Sequence, residues 1–368
     1  MTDGLGLGDA YGATIDRIMA QGGEKARLGM AALMWISRSE RPLKVNELCH
    51  ALSVEIGSPN LDADNVPSIG LLLACCQGLV AVEKEASTVR LIHFTVQEYL
   101  RAHPGLFGSA HSTMAETCLS YLNSHQVKAL SVNPVSDLKD SDFQATPFLE
   151  YSSLYWGIHA KREHSNRAKM LTLKLFDDCN SHISTKILLE ADEMYRFAVD
   201  FGNPSLFSGL HCASFFGIVE IVACLLAVEG CDINQEGHIG NTPLAWAAFN
   251  GHEGVVEILL GRDDVNPDQP NNLGHTPLLC ASWNGHEGVV EILLRRADVK
   301  SDKSDCLGRT PISWATIHGH ERVVKALLRR GGVNPDKQDR GGWTPLQYAS
   351  ELGRAGVVAL LQPLASPP

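Results

Sequence analysis

The amino-acid sequence predicts a mostly α-helical chain in two parts, with a solenoid of repeats in its C-terminal half and a smaller domain before it. The solenoid is predicted by two signals that recur every 34 residues: a Thr-Pro pair and a glycine. The Thr-Pro pairs begin at Thr242, Thr276, Thr310 and Thr344, and the glycines are Gly217, Gly251, Gly285, Gly319 and Gly353. The first part is predicted by three helical patterns followed by a β-hairpin pattern.

Each repeat carries the signals of two short helices. Thr242 can cap a helix by accepting a backbone N–H bond, and Pro243 fits the first helical position, where its missing donor is harmless. Gly251 can take the positive φ that ends this helix. Val255 and Leu259 lie on a second helix that is too apolar to stand alone, so neighbouring repeats must bury it. The Asn-, Asp- and Pro-rich stretch 265–274 then predicts a projecting turn.

The segments GNTPLAWAAFNGHEGVVEILL, GHTPLLCASWNGHEGVVEILL and GRTPISWATIHGHERVVKALL resemble the ankyrin family. The resemblance implies that each projecting turn is an ankyrin finger and that fingers and first helices form a concave face that binds partner proteins. The first repeat lacks Thr-Pro and the last ends soon after Leu361, so both are expected to cap the stack. The predicted repeats span residues 204–237, 238–271, 272–305, 306–339 and 340–368.

In the ankyrin family the variable contact positions are finger residues before Thr-Pro and the two residues before the helix-ending glycine. We favour Phe249, Trp283 and Trp343 as anchors, because aromatic side chains dominate interface energies; the alternative is that these rings pack on a neighbouring finger. No general code in such a face identifies the partner. The implied partner-binding residues are His238, Ile239, Asn241, Phe249, Asn250, Asn272, Leu273, His275, Trp283, Asn284, Arg309, Ile317, His318, Arg340 and Trp343.

Residues 24–125 carry the pattern of a winged-helix domain. Helices are predicted over Glu24–Ser37, Val45–Leu52 and Ser68–Gln77, and a hairpin follows in which alternating apolar residues flank a polar turn. A winged helix invites a DNA-binding interpretation, but the third helix contains no lysine or arginine and is expected to lie in a core. The net charge of -11 also opposes binding to nucleic acid or anionic lipid.

The segment LIHFTVQEYL, residues 91–100, resembles the end of the winged-helix domain that follows the nucleotide-binding core of NACHT-type STAND ATPases. In that family a histidine at the place of His93 reaches the β-phosphate of ADP, so the resemblance implies a nucleotide-sensing role for His93. The chain has no GxxxxGK[ST] loop to cradle phosphates. Two interpretations stay open: His93 belongs to the sensor or lid of a NACHT core supplied by another chain, or it is a histidine hydrogen-bonded at the end of a strand.

The join between the two parts, including FLEYSSLYWGIHAKRE at residues 148–163, resembles the C-terminal portion of fungal NACHT-ankyrin proteins. This resemblance implies a role in NLR-like innate-immune or self-recognition signalling. Residues 1–23 are taken as an N-terminal segment and residues 126–203 as a loop and helical bridge. Within this bridge, 132–146 is predicted as a loop and Ala168–Leu189 as helices.

Several classes of activity find no support in the sequence. The longest apolar run, Ile69–Cys76, is too short to span a membrane, and Asp3 and Asp9 stand where a secretory signal carries positive charge, so a cytoplasmic protein is expected. The ten cysteines form no CxxC pair and are expected to be buried thiols. No enzymatic activity, metal or cofactor is predicted: three His-Glu pairs begin like zinc-protease motifs, but the second histidine is replaced by Val256, Val290 and Val324.

Overall fold

The computed structural model describes residues 6–130, 139–177, 182–191, 207–228 and 230–364. The chain forms two compact units, residues 1–192 and residues 193–368. The first unit begins with the elements α1 Leu7–Ala20, α2 Gly23–Arg38, β1 Leu43–Lys44, α3 Val45–Ser53, α4 Ile69–Cys75, β2 Val80–Glu83, β3 Thr88–Leu91 and α5 Phe94–Ala102. Short 3-10 helices lie at Ala63–Asn65 and Pro104–Phe107.

The predicted hairpin is present and pairs as the apolar alternation requires. Val80 lies opposite Leu91 and Val82 opposite Val89 in antiparallel register. The short strand β1 adds to the other edge of β3, with Leu43 opposite Val89, so the order of the sheet is β1-β3-β2. A third strand from the linker between two helices was not predicted, because two residues are too few to show an alternating pattern.

Helix α1 was missed by the prediction, which treated residues 1–23 as a separate segment. It buries Ile15 and Ile18 completely or nearly so. A Cβ on Gly29 of α2 would lie 2.8 Å from both the Cys75 carbonyl oxygen and Ile18 Cγ2, so α1, α2 and α4 meet where only glycine fits. The first helix is therefore part of the core of the unit.

Helix α4 is only half buried, which corrects the expectation that it lies wholly in a core. Leu72, Cys75 and Cys76 are buried, whereas Leu71 is exposed. An apolar helix of seven residues has no polar face to signal which side meets solvent, so composition alone could not divide it.

The remaining helices of the first unit are α6 Ala110–Leu122, α7 His125–Ala129, α8 Asp140–Ala145, α9 Leu149–Arg162, α10 Asn166–Phe176 and α11 Ile183–Ala191. The ring of Phe148 lies 5.4 Å from Trp35 and 5.3 Å from Tyr121, centroid to centroid. Helices α9 to α11 therefore belong to the same compact unit as the winged-helix elements: α9 and α10 pack on α6, and α11 packs on α9.

The loop predicted over 132–146 contains helix α8. The Asp142 carboxylate accepts a hydrogen bond from the Lys139 backbone N–H at 2.9 Å, which caps the helix start. The capping signal was overlooked because the surrounding sequence is polar and contains proline. Residues 131–138 of that predicted loop lie outside the described residues.

In the second unit each of the five repeats contributes a first and a second helix. Second helices bury Val256, Val290 and Val324 between repeats. The helix pairs are Gly209–Phe216 and Val219–Leu226, Pro243–Phe249 and Glu253–Leu260, Pro277–Asn284 and Glu287–Arg295, Pro311–His318 and Glu321–Arg330, and Pro345–Glu351 and Ala355–Leu361. Further 3-10 turns lie at His238–Gly240 and Gln362–Leu364.

Candidate binding face

The first helix of each later repeat starts and stops as the sequence predicts. The hydroxyl of Thr276 accepts a hydrogen bond from the Leu279 backbone N–H at 3.3 Å, and Thr242, Thr310 and Thr344 cap in the same way. Gly285 has a φ of 77° where the helix ends. Local sequence thus sets the length of the helices that carry the candidate face.

Neighbouring fingers are joined by a backbone ladder. Each finger donates one N–H to the carbonyl of the preceding finger: Asn272 to Ile239 at 2.9 Å, Cys306 to Leu273 at 3.0 Å, and Arg340 to Leu307 at 2.9 Å. Because the ladder satisfies backbone groups that a free loop would leave to water, it fixes the spacing of the finger side chains.

Histidines at the start of the second helices tie each repeat to the one before it. The Nε2 atom of His286 bonds the Phe249 carbonyl at 2.9 Å, and His320 bonds the Trp283 carbonyl at the same distance. His252 bonds the Phe215 carbonyl at 2.8 Å. The bonds of His286 and His320 anchor the ends of first helices at the positions before Asn250 and Asn284, so these two candidate contact residues sit on a braced backbone.

Two finger carboxylates organise the side chains beside the face. The Asp305 carboxylate accepts hydrogen bonds from the Leu307 and Arg309 backbone N–H groups, and from Trp314 Nε1 at 2.8 Å. His275 Nε2 lies 3.6 Å from the same carboxylate. Burial opposes ionisation of Asp305, but these neighbours outweigh burial and lower the pKa of its carboxyl group.

Asp339 repeats this arrangement one repeat later. Its carboxylate accepts a hydrogen bond from the Tyr348 hydroxyl at 2.5 Å and lies 3.5 Å from Arg309 Nε. Burial would raise the pKa of Asp339, yet the hydrogen bonds from Tyr348 and from the Trp343 and Gly341 backbone, together with Arg309, lower it. Each carboxylate thus joins two repeats.

A stack of aromatic rings and one guanidinium runs through repeats 3 to 5. Trp283 and Trp314 are stacked with centroids 4.0 Å apart. The Arg309 guanidinium lies 4.7 Å from the Trp314 ring centre and 5.5 Å from that of Tyr348, and Tyr348 lies 5.2 Å from Trp343. Contacts of this kind add attraction beyond burial, so the stack stiffens this part of the unit.

Comparison with protein families agrees with both parts of this architecture. The family described as ankyrin repeats (3 copies) matches residues 210–303 and 299–366, and the winged helix domain of GPI inositol-deacylase matches residues 16–117. The chain is a winged-helix domain followed by ankyrin repeats. Ankyrin repeats are non-catalytic modules of protein–protein interaction. Among curated proteins, no match to the chain was found.

Most of the predicted contact residues of the ankyrin repeats have accessible side chains. The exposed ones are Asn272, His318, Arg340 and Trp343. The half-buried ones are Phe249, Asn250, Leu273, Trp283, Asn284, Arg309 and Ile317. The side chain of His238 lies outside the described residues.

Three predicted contact residues are buried, and we remove them from the candidate site. Asn241 is 1% exposed and its Oδ1 accepts a hydrogen bond from Asn271 Nδ2 at 2.8 Å. His275 is 5% exposed and lies beside Asp305 and Trp283, and Ile239 packs with Phe249. At Asn241 and His275 the finger position before Thr-Pro faces the next repeat, so these side chains serve packing between repeats.

Sequence reasoning missed neighbours of the candidate site that the 34-residue period could have revealed. Leu307 occupies the finger position of Ile239 and Leu273, and it is 48% exposed. Asp305 and Asp339 occupy the position of Asn271, whose carboxamide oxygen also accepts two backbone N–H bonds in its finger. Extending each candidate position through all repeats would have found them.

In the winged-helix domain His93 caps helix α5. Its Nδ1 lies 2.8 Å from the Thr95 hydroxyl and accepts the Thr95 backbone N–H at 3.3 Å. The ring packs at 4.4 Å on Phe94, which is 66% exposed, and the preceding Ile92 is also exposed. The geometry accounts for His93 as a local cap and also leaves an apolar patch around it.

The expectation of buried thiols is met by most of the described cysteines, including Cys118 and Cys280, but Cys306 is exposed in a finger. No cluster of three or more potential metal ligands occurs among the residues that the structure describes. Within the same residues, no helix has the length and apolar character needed to cross a membrane.

Proposed function

We propose that the chain is a non-enzymatic cytoplasmic protein that binds a partner protein on the concave face of its ankyrin repeats. The observation that carries this proposal is the line of accessible apolar side chains, Leu273, Leu307 and Trp343, on fingers that a backbone ladder holds in place. A preorganised surface loses little conformational entropy when a partner binds.

The aromatic candidates combine packing with accessibility. Trp283 rests on Trp314 and Trp343 on Tyr348, so one face of each ring is fixed by the protein while part of the ring stays accessible to solvent. Rings that are already ordered make effective anchors, because little rotamer freedom remains to be lost on binding. Packing on a neighbouring residue and contact with a partner are therefore compatible roles.

The proposal is tested by affinity capture from native cytoplasm with the full chain as bait. Trp343→Ala and Leu307→Ala are compared with Met170→Ala, a matched change at an exposed apolar side chain of the first unit. We expect a protein that the wild type and Met170→Ala retain and the two finger variants lose. Equal recovery by all four baits would place the binding surface elsewhere.

A second proposal concerns signalling: the winged-helix domain docks, through Ile92 and Phe94 beside His93, on a NACHT ATPase core carried by another chain. The observation that favours it is the exposure of these two large apolar side chains, 51% and 66%, next to the histidine. Such a chain would act in NLR-like innate-immune or self-recognition signalling.

This second proposal requires ADP-dependent association of the chain with a NACHT core. His93→Ala is expected to weaken the association. His103→Ala, a change at an exposed histidine whose Nδ1 bonds the Tyr99 carbonyl and whose ring stacks on Tyr99, is expected to leave it intact. The proposal would be ruled out if no association were found, or if the association depended on neither ADP nor His93.

A further inference from the structure

The last repeat departs from the others at two positions of the concave face. The residue before Thr-Pro is Asn241, His275 or Arg309 in repeats 2 to 4, and each contacts an Asn or Asp of the next finger. In repeat 5 it is Trp343, which is 40% exposed. The need to pack one repeat on the next does not account for an exposed tryptophan here.

The second departure is a carboxylate. Glu351 occupies the position that holds Phe249, Trp283 and Ile317 in repeats 2 to 4. It is exposed, and its carboxylate has no ion-pair or hydrogen-bond partner in the part of the chain that the structure describes. A carboxylate therefore stands where repeats 2 to 4 carry an apolar side chain.

Trp343 and Glu351 line the same cavity, of about 570 Å³. The rest of its lining comes from Leu346, Gln347, Ser350 and the two finger glycines. Two polar atoms of this lining are engaged locally, since Gln347 Oε1 accepts the Thr344 N–H and the Ser350 hydroxyl donates to the Leu346 carbonyl. Glu351 is thus the one charged group in this described lining.

Two arginines of repeat 5, Arg340 and Arg354, lie close to glycines of repeat 4. A Cβ on Gly308 would lie 3.2 Å from Arg340 Cγ, and one on Gly319 would lie 3.1 Å from Arg354 Cδ. Arg354 also donates to the Ile317 carbonyl. The negative charge of Glu351 is therefore not neutralised by either guanidinium through direct pairing.

We propose that this cavity takes a lysine or arginine side chain of the bound partner, with its cation over the Trp343 ring and its charge paired with Glu351. The inference rests on the proposed function and names the chemistry of the partner at one end of the face. An aromatic face and a carboxylate attract the same cation by separate forces. The chain contains this pairing internally, where Arg309 lies over Trp314 and 3.5 Å from Asp339.

The inference is tested by selecting a displayed library of short random peptides on the immobilised full chain. We expect the peptides that bind wild type and not Trp343→Ala to share a lysine or arginine at one position. Exchanging that residue for glutamine in a synthetic peptide should weaken binding about tenfold by calorimetry. Glu351→Lys should select an acidic residue at the same position, and Glu220→Lys, at an exposed carboxylate of repeat 1, should not.

The outcomes separate this inference from the function on which it rests. Trp343-dependent peptides without a shared basic residue, or with one that Glu351→Lys does not change, would overturn the cation site alone. Peptides that depend on Trp283 or Leu307 but not on Trp343 would do the same. No peptide dependent on any of the three, or no peptide at all, would count against the concave face itself. Thermal unfolding of each variant shows whether it is folded. Peptide selection on Trp343→Phe, which keeps an aromatic ring, is a second control for folding.

Discussion

The two units of the chain are stabilised at different ranges along the sequence. In the ankyrin repeats the ties between neighbours recur, as in the bond from His286 to the Phe249 carbonyl, 37 residues away. In the first unit the ties are individual and long: the Glu40 N–H donates to the Tyr151 hydroxyl across 111 residues, and Arg162 pairs with Glu40 across 122. Repeated local contacts can be recognised in one sequence, whereas single distant contacts cannot.

The variant with the largest expected effect tests whether the stability of the first unit depends on one shared hydrophobic core. Phe148→Ala removes a fully buried ring that contacts Trp35, Tyr121 and Tyr151, so we expect a loss of about 3–5 kcal/mol from its free energy of unfolding. Hydrogen exchange followed by mass spectrometry should show faster exchange throughout residues 6–191 and little change in the repeats.

Phe143→Ala is the matched control, because Phe143 is an exposed phenylalanine of helix α8. It is expected to change the free energy of unfolding by less than about 0.5 kcal/mol. Equal acceleration of exchange in the repeats after Phe148→Ala would show that the effect of losing this ring is not confined to the first unit.

The next prediction compares interior and terminal repeats. Leu278 of repeat 3 is fully buried between its neighbours, while Leu346 at the same position of repeat 5 is half-buried. Leu278→Ala is expected to cost about 2–5 kcal/mol and Leu346→Ala less than half as much, because the terminal site has lost less surface to water. Urea unfolding of both variants measures the difference, and equal costs would mean that repeat 5 is covered in solution.

These contrasts explain which parts of the molecule the sequence could predict. The caps at Thr242 and Thr276, the helix-ending glycines and the Val80–Leu91 hairpin all follow from neighbouring residues, so they were predicted. Helix α1 and the joining of α9 to α6 depend on distant partners such as Cys75 and Tyr121, which local patterns do not reveal.

The sequence predicted only part of the exposure of the candidate contact residues. Family contact positions indicated Trp283, His318 and Trp343, and these side chains are accessible. The burial of Asn241 and His275 depends on which side chain the following finger supplies, and that is a property of a pair of repeats. A single repeat examined alone cannot show it.

Acid should destabilise both units through buried histidines. Burial of the His159 imidazole, next to His111 and Arg162, lowers its pKa from 6.5 to about 3, and burial lowers the pKa of His211 in repeat 1 to about 4. In the unfolded chain each takes up a proton near its ordinary pKa, so stability is full above about pH 6.5 and falls as the pH drops towards these folded values.

Urea unfolding near pH 7 and at about pH 4.5 measures this loss. Burial also lowers the pKa of His111, whose Nδ1 lies 2.9 Å from His159 Nδ1, and the pKa values of His286 and His318 in the repeats, so both units should lose stability. His159→Gln should flatten the pH dependence of the first unit and His211→Gln that of the repeats. An unchanged pH dependence in either variant would show that the histidine concerned is not the group that titrates.

The smallest predicted effect compares two helix caps, one in each unit. The Thr276 hydroxyl makes a purely local cap, and Thr276→Ala is expected to cost about 1 kcal/mol. The Ser165 hydroxyl accepts the Ala168 N–H at 2.9 Å and also donates to the Glu116 carboxylate at 2.6 Å, 49 residues away. Ser165→Ala is therefore expected to cost about 1 kcal/mol more than Thr276→Ala, because it also removes a hydrogen bond to a charged group.

A double-mutant cycle between Ser165→Ala and Glu116→Gln isolates that distant bond from the cap. Coupling of about 1 kcal/mol would show that even a helix cap in the first unit includes a long-range contact. Coupling near zero, with equal costs for the two caps, would mean that the units differ in their cores and not in how their helices begin. Helix caps usually involve only neighbouring residues. The measured coupling therefore decides whether long-range contacts stabilise the helix ends of the first unit as well as its core.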